Sequence, residues 1–475
     1  MYFAQTQNIQ SRSPLKVKFS KNEINSRVHK IPEIRFEDQK HTAFAGLVVI
    51  QSLFARLRLK ERLRTCFDHF KTSPIFGYRV IVMVLMVHLI IGYRRLRDMD
   101  YYRDDPMVKR LLGLNRFPDV ATVSRALATV DRDSLDKLRQ LCRAMVNERV
   151  RAFHLWRLTL DFDGSVYWTT SQQTEGTAVG YNRKKRGARS YYPLFCTLAQ
   201  TGQVFDVWHR PGNVHDSNGA EAFIRGCIEE LREALPWVRI EVRTDGAFFS
   251  DQMVSVLDGL KVEFSISVPF ERFPELKGRI EGRERWREID TTWSYFETDW
   301  KPKCWSDRYR FIFFRQRSPE IYKGPIQLDL FIPRAYGYTF KVMVTNKPIG
   351  AKKALVFHHG RGSQEGYFAE LKSQCQTDYI PVRRLYGNQL YLMAGVLAHN
   401  LIRDLQMIAR PPDRGTTEKR SPLWVFEQLA TLRNRLLQRA GRLTEPQKKL
   451  TLTMSANEAV QKDLLHFLEV LKEAA

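Results

Sequence analysis

Hydrophobic residues recur at helical spacing through the first third of the chain. Between Ala43 and Glu148 they return every three or four positions, which predicts a helical region. The run Val80–Gly92 is apolar on all sides and predicts a buried core helix, because it falls short of the roughly 20 apolar residues that span a membrane. Another helix is predicted over Phe117–Val130, where Pro118 and Asp119 suit a helix start. Its pattern allows a DNA-reading helix but favours an ordinary amphipathic helix that packs on its neighbours.

The pattern changes at Trp156, where apolar and polar residues begin to alternate. Over Trp156–Tyr167 this period of two predicts a strand with Asp161 and Asp163 together on its polar face. The elements predicted after it are strands at Tyr192–Ala199, Val204–His209, Arg239–Thr244 and Val262–Val268, and helices at Ser217–Leu235 and Asp251–Leu260. A series of strands followed by an alternation of strands and helices predicts an α/β or α+β core with a mixed sheet.

Shifts in pattern divide the chain into six predicted regions. The stretch 270–350 is rich in tryptophan, charge and β-forming residues, which predicts an antiparallel insertion, and helical spacing returns after it. The regions are a basic arm (1–42), a helical domain (43–150), the first part of an α/β core (151–269), the β-rich insertion (270–350), the last part of the core (351–408) and a C-terminal helical region (409–475).

Charge narrows the class of partner. Lysine plus arginine number 76 against 52 aspartates and glutamates, a formal net charge of +24 over 475 residues. Such an excess attracts polyanions, with nucleic acid the leading partner and an acidic membrane surface second. The six cysteines are scattered without metal-ligand spacing, which predicts reduced structural thiols and no zinc site. The N-terminus lacks the apolar run of a secretory signal, so we expect a cytoplasmic protein with no membrane segment.

Three acidic residues stand out as candidates for chemistry. Asp163 and Asp245 each lie at or near the end of a predicted strand and precede a glycine. Ligands gather at such strand ends, although Asp–Gly is also common in turns. At about 100° per residue, Arg361, Glu365 and Lys372 share one face of a predicted helix. Three carboxylates in a basic protein suit two-metal phosphodiester chemistry, for which Mg²⁺ is the natural ion.

Five stretches together resemble a known family. They are DFDGS (161–165), GYNRKKRGARSYYPLF (180–195), RPGNVHDSNGA (210–220), RTDGAFFS (243–250) and the helix at 358–372. The chain resembles DDE transposases of bacterial insertion sequences, in the IS4-like superfamily and most closely the IS1380 family. The last motif of that superfamily, Tyr-x2-Arg-x3-Glu-x6-Lys, is matched at Arg361, Glu365 and Lys372, while His358 stands where tyrosine is usual.

The resemblance implies an RNase H-like catalytic core with a β-rich insertion, preceded and followed by helical regions. It implies that Asp163, Asp245 and Glu365 are the catalytic carboxylates and hold two magnesium ions, for which Mn²⁺ can substitute. It also implies that Arg361 and Lys372 contact the DNA of the transposon ends, with His358 beside them. Cleavage at insertion-sequence ends, transfer of the 3′-OH into target DNA and a homodimer on double-stranded DNA follow as expectations. The helical domain 43–150 is then expected to recognise the ends or to dimerise.

Several alternatives stay open in the sequence. Asp161 lies on the same strand face as Asp163 and is its rival as first metal ligand. The basic loop with Arg183, Lys184, Lys185 and Arg186 is either a contact with the DNA backbone or a solvated hairpin tip. We interpret His215 and Asp216 as helix-entry residues. A catalytically silent DNA-binding protein and an RNase H-like nuclease without strand transfer are the alternative functions.

Overall fold

The computed structural model describes residues 33–70, 76–180, 182, 185–305, 307–317, 334–335 and 337–473. Residues up to Gln39 form one unit and those from Lys40 onward another. In the first unit, residues 33–39 are exposed and lie outside any helix or strand. All elements below belong to the second unit.

The N-terminal part of this unit is helical. Its elements are β1 (His41–Thr42), α1 (Leu47–Arg56), α2 (Leu59–Thr65), α3 (Tyr78–Ile90), α4 (Pro106–Leu112), α5 (Val120–Thr129) and α6 (Arg132–Ala152). The apolar run forms α3, which is buried from Ile81 to Ile90, as predicted. Asp119 caps α5 by accepting a hydrogen bond from the backbone amide of Thr122, so this helix also begins where its sequence predicts.

The middle of the chain forms strands, with three α-helices between them in the part that the structure describes. The elements are β2 (Arg157–Gly164), β3 (Tyr167–Thr169), β4 (Ala178–Val179), β5 (Arg189–Tyr191), β6 (Leu194–Leu198), β7 (Val204–Trp208), α7 (Ala220–Ala234), β8 (Arg239–Thr244), α8 (Asp251–Gly259), β9 (Glu263–Val268), α9 (Pro274–Glu281), β10 (Arg287–Glu288), β11 (Trp293–Trp300), β12 (Tyr309–Arg317), β13 (Arg334–Ala335) and β14 (Tyr338–Thr345). The strands predicted from the alternating pattern therefore agree with the observed strands to within a few residues.

One large mixed sheet organises these strands. Its order is β10-β11-β12-β14-β9-β8-β2-β6-β7, with β13 beside β14. Strands β2, β8 and β9 are parallel neighbours, whereas β6, β7 and the strands from β10 to β14 pair antiparallel. Strands β3, β5 and β4 form a separate small sheet. The mixed α/β fold that the sequence predicts is confirmed, and the parallel trio brings its carboxyl ends to one edge.

The last part of the chain contains a hairpin that its sequence did not predict. The elements are α10 (Ala351–His359), α11 (Ser363–Ser373), α12 (Leu385–Ala409), α13 (Leu429–Leu432), β15 (Gly441–Thr444), β16 (Thr451–Met454) and α14 (Glu458–Glu473). The description of 409–475 as helical is therefore wrong for β15 and β16, which pair with each other, and β15 also pairs with β1. At Gly441 a Cβ would lie 2.8 Å from that of Ala45, so the pairing depends on a distant contact that periodicity does not show.

The N-terminal helices share their hydrophobic core with the C-terminal ones. Buried side chains of α1, α3, α12 and α14 belong to a single apolar cluster, while β2, β8, β9 and α7 pack in a second. The region 43–150 thus has no separate core of its own. None of the helices in the described ranges is long and apolar enough to cross a membrane.

Candidate active site

Two predicted carboxylates lie side by side where parallel strands end. Strands β2 and β8 pair with Asp161 opposite Arg243, so Asp163 and Asp245 both come two residues later, at the same edge of the sheet. Burial and the negative charge of Asp245 raise the pKa of Asp163 to about 7. Asp245 accepts a hydrogen bond from the backbone amide of Ala247, which fixes the turn after β8. The edge therefore holds two carboxyl groups close enough for the charge of one to affect the other.

Arg361 reaches into this edge from the other side. Its Nη1 donates to Oδ2 of Asp163 at 2.9 Å, and each of the two side chains is 19% exposed. Arg361 lies in a 3₁₀ turn, Gly360–Gly362, between α10 and α11. The single regular helix predicted over 358–372 is therefore wrong, because Gly360 packs so closely on neighbouring backbone that the helix tightens there. Arg361 thus contacts a carboxylate within the protein, and its contact with DNA stays a prediction.

Helix α11 is held against β2 by hydrogen bonds, and one of its two glutamates has no partner among the described residues. Gln364 donates to the backbone oxygen of Asp161, and Nζ of Lys372 donates to the backbone oxygen of Val166, both at 2.9 Å. Between them, Glu365 is exposed and makes no hydrogen bond or ion pair with any residue that the structure describes. Glu370 is buried instead and pairs with Arg403. Of the two glutamates on α11, only Glu365 is available to an incoming ligand.

His358 occupies a different position from that expected of a DNA contact. Its two ring nitrogens hydrogen-bond to the hydroxyl groups of Ser265 and Ser267 on β9. Burial, with the positive charge of Arg361, lowers the pKa of His358 to about 3, so the ring is neutral at pH 7. The side chain joins α10 to the sheet, and its role at DNA remains an untested prediction.

Asp216 belongs to this site, although its sequence context suggested only a helix entry. The carboxylate accepts a hydrogen bond from the hydroxyl of Tyr192 at 2.8 Å and pairs with Arg210 at 3.2 Å. A Cβ at Gly164 would lie 2.6 Å from Asp216, which places this side chain directly beside the residue after Asp163. Burial and the charge of Asp245 raise the pKa of Asp216. The only sequence signal for it is the polar RPGNVHDSNGA stretch after a strand.

Asp161, the rival of Asp163, is committed to a buried ion pair. Both of its oxygens accept from Arg243, at 2.6 and 2.7 Å, and both side chains are completely buried. The ion pair is thus bidentate, which is the geometry that suits arginine and carboxylate. Asp161 is therefore closed to a ligand, whereas Asp163 is partly exposed at the strand-end edge.

The basic loop is described only in part. Lys185 and Arg186 are exposed, and the ammonium group of Lys185 lies 3.5 Å from the ring centre of Trp168 on β3. Arg183 and Lys184 lie outside the described residues. The two described cations thus lie in the connection between β4 and β5 of the small sheet.

The donor set fits a divalent cation in its chemistry. Asp163 and Asp245 are hard oxygen donors whose mutual repulsion a cation would relieve. Glu365 supplies a further free carboxylate on α11, the helix that follows the turn with Arg361. Across the described ranges, however, no group of three or more histidine, cysteine, aspartate or glutamate residues is spaced closely enough to hold a metal.

Comparisons with known proteins identify one family model and several solved structures that the chain resembles. Residues 27–475 match the family model described as Transposase DDE domain group 1. Among solved structures, the piggyBac transposase in a synaptic complex with hairpin DNA is similar at 12% identity and a TM-score of 0.41, covering 82% of this chain and 78% of that chain. The Mos1 transposase paired-end complex with the left transposon end is similar at 14% identity and a TM-score of 0.18, over 41% of this chain and 60% of that one. A search of curated proteins by sequence gave no match.

Proposed function

The chain belongs to the family described as Transposase DDE domain group 1, and we propose that it cleaves DNA at the ends of an insertion sequence and transfers the freed 3′-OH into target DNA. The observation that carries this proposal is the pair of carboxylates at the ends of β2 and β8, faced by Arg361. We assign the mixed five-stranded part of the sheet, β9-β8-β2-β6-β7, to an RNase H-like core. We place its active site at the carboxyl ends of the parallel strands, where the ligands of open sheets gather.

We assign Asp163, Asp245 and Glu365 as the carboxylates that would hold two Mg²⁺ ions, with Mn²⁺ as a substitute. Asp163 is preferred over Asp161 because both oxygens of Asp161 are bound by Arg243. When bound, divalent ions activate the attacking oxygen and stabilise the leaving oxygen of a phosphodiester. Arg361 neutralises Asp163 in the absence of DNA and is placed to turn to a phosphate, since guanidinium groups bind carboxylate and phosphate alike.

The finer assignment to the IS1380 family of the IS4-like superfamily is part of the proposal. It is supported by the spacing of Arg361, Glu365 and Lys372, with Glu365 free on its helix. We also propose that two copies act together, because two transposon ends must be joined in one complex. Sedimentation of the protein bound to a pair of ends measures this, and one copy per pair would refute it.

The proposed function is tested with supercoiled plasmid that carries the element's own ends and a second, target plasmid. We expect cutting at the ends and joined products with Mg²⁺ or Mn²⁺, and neither with EDTA. Cutting without joining would favour an RNase H-like nuclease. Tight, specific binding without cutting under either metal would show a catalytically silent DNA-binding protein.

We expect the exposed cations of the basic loop to bind the DNA backbone. Changing Lys185 and Arg186 together to alanine should weaken binding to all DNA sequences about equally, because phosphate contacts carry no sequence information. Each lost contact should also reduce the slope of log affinity against log salt by about 1. Titrations of end DNA and unrelated DNA at several salt concentrations measure both effects. Lys352→Ala and Lys353→Ala on α10 form an exposed control pair, and an unchanged slope in the loop variant would contradict the assignment.

A further inference from the structure

A buried layer of charge lies directly beneath the two strand-end aspartates. Along the same faces of β2 and β8, the preceding alternate residues are Thr159 and Asp161 on one strand and Glu241 and Arg243 on the other. All four are completely buried. Burying a charged group costs free energy unless the group has a partner in good geometry. Loss of a partner of Glu241 or Arg243 would therefore be unfavourable.

Glu241 draws its partners from three separate parts of the chain. It pairs with Arg157 at 2.6 Å, with Lys347 at 2.7 Å and with Arg420 through two hydrogen bonds of 2.8 and 3.0 Å. Burial opposes its ionisation, but the hydrogen bonds from Arg420 and Lys347 outweigh it and lower the pKa of Glu241. Arg420 comes from the loop between α12 and α13, far along the chain from the strands and only 8% exposed.

Arg243 connects the same loop to the turn that carries Arg361. Besides binding Asp161, its Nη1 donates to the backbone oxygens of Phe357, at 2.8 Å, and Lys419, at 2.9 Å. The first oxygen belongs to the end of α10 and the second to the residue before Arg420. A Cβ at Gly360 would lie 1.8 Å from the oxygen of Lys419 and 2.1 Å from Nη1 of Arg243. The turn between α10 and α11 therefore rests directly on the loop and on the guanidinium.

The backbone of Arg420 is itself held in an unfavourable conformation. Its φ is +54°, in the left-handed region that side chains other than glycine rarely adopt. A conformation of this kind persists only where the surrounding contacts hold it. The two hydrogen bonds to Glu241 are contacts of that strength, since both partners are charged.

We propose that Arg420 is a positioning residue of the active site. By binding Glu241, it seats the loop 417–420 so that the oxygen of Lys419 supports Arg243 and the turn at Gly360, and this sets Arg361 and Glu365 relative to Asp163 and Asp245. The proposal rests on the proposed function, because it concerns the same carboxylates. It makes the C-terminal part of the chain a structural component of the catalytic centre.

The test compares Arg420→Met with Arg414→Met, which changes an exposed arginine of the same loop. In Arg420→Met we expect the rate of end cleavage to fall about 10-fold or more, while affinity for end DNA stays within about 2-fold of wild type. Amide hydrogen exchange over 357–366 should rise in this variant, with little change in α3 or α12. Arg420→Lys should be intermediate, because lysine keeps the charge but loses the paired geometry. Arg414→Met should match wild type in every measurement.

The outcomes separate this inference from the proposed function. Wild-type protein that never cuts would overturn the function, and the exchange data would still decide whether Arg420 holds the turn. Equal exchange over 357–366 in Arg420→Met and Arg414→Met would overturn the inference, as would wild-type cleavage by Arg420→Met. If Arg420→Met does not fold, Arg420→Lys is measured in its place. In Arg420→Lys, a uniform rise in hydrogen exchange over the whole chain, or a loss of DNA binding as large as the loss of cleavage, would show that Arg420 is a general stabilising residue.

Discussion

Glu365→Gln is expected to lower the rate of DNA-end cleavage by about 10³-fold or more while DNA binding is retained. Glutamine has nearly the same shape but no negative charge to hold a divalent cation, and loss of about 4 kcal/mol of transition-state stabilisation corresponds to this factor. Because Glu365 is exposed and has no partner among the described residues, the change should leave folding unaffected. Single-turnover cleavage of labelled end DNA, with binding measured separately, gives both quantities.

The control for this prediction is Glu229→Gln, which removes an exposed glutamate from α7. We expect that variant to cut at the wild-type rate. Asp163→Asn and Asp245→Asn should resemble Glu365→Gln if the three carboxylates act as a unit, and combining two of these changes should add little to the loss. Wild-type cleavage by Glu365→Gln would remove Glu365 from the site.

Arg243→Met is expected to destabilise the folded protein by about 3–5 kcal/mol. The substitution leaves Asp161 charged and completely buried without its partner, and it leaves the backbone oxygens of Phe357 and Lys419 without their donor. The change in melting temperature measures the effect by comparison with the wild type. A variant that is too unstable to purify in folded form agrees with the prediction.

The matched comparison is the double variant Asp161→Asn with Arg243→Met. Removing both charges together should recover part of the lost stability, since a neutral amide costs less to bury than an unpaired carboxylate. Arg410→Met is a control for loss of an arginine near the surface. A melting temperature for Arg243→Met equal to that of wild type would show that the buried pair contributes nothing.

The local sequence pattern was sufficient to predict most of the elements that form the core of the sheet. The strand at β8 coincides with its predicted bounds, and β2, α7 and β9 begin within a few residues of theirs. Alternation of apolar and polar residues is the local signature of a strand, so these predictions needed no knowledge of distant contacts. It did not show that the polar faces of β2 and β8 are buried as well. The same reasoning placed Asp163 and Asp245 at strand ends, and the parallel pairing of β2 with β8 brings them to one edge.

Other features depend on residues that meet only in the folded chain. Alternation put Asp161 and Asp163 on the same strand face without distinguishing them, and Arg243, which binds Asp161, is distant in sequence from both. Asp216 enters the site through Tyr192 and Arg210, which no periodic pattern links to it. The break at Gly360 follows from the close approach of Lys419.

The sequence by itself thus determined most of the element types, the excess of positive charge and three candidate carboxylates, because each is a property of neighbouring residues or of composition. Tertiary structure alone decided which carboxylates are paired with arginine and which are free, that Glu365 is available while Glu370 is not, and that Arg420 reaches the layer beneath the strand ends. The physical reason is that burial and pairing of charge depend on three-dimensional neighbours, which the order of residues along a strand or helix does not specify.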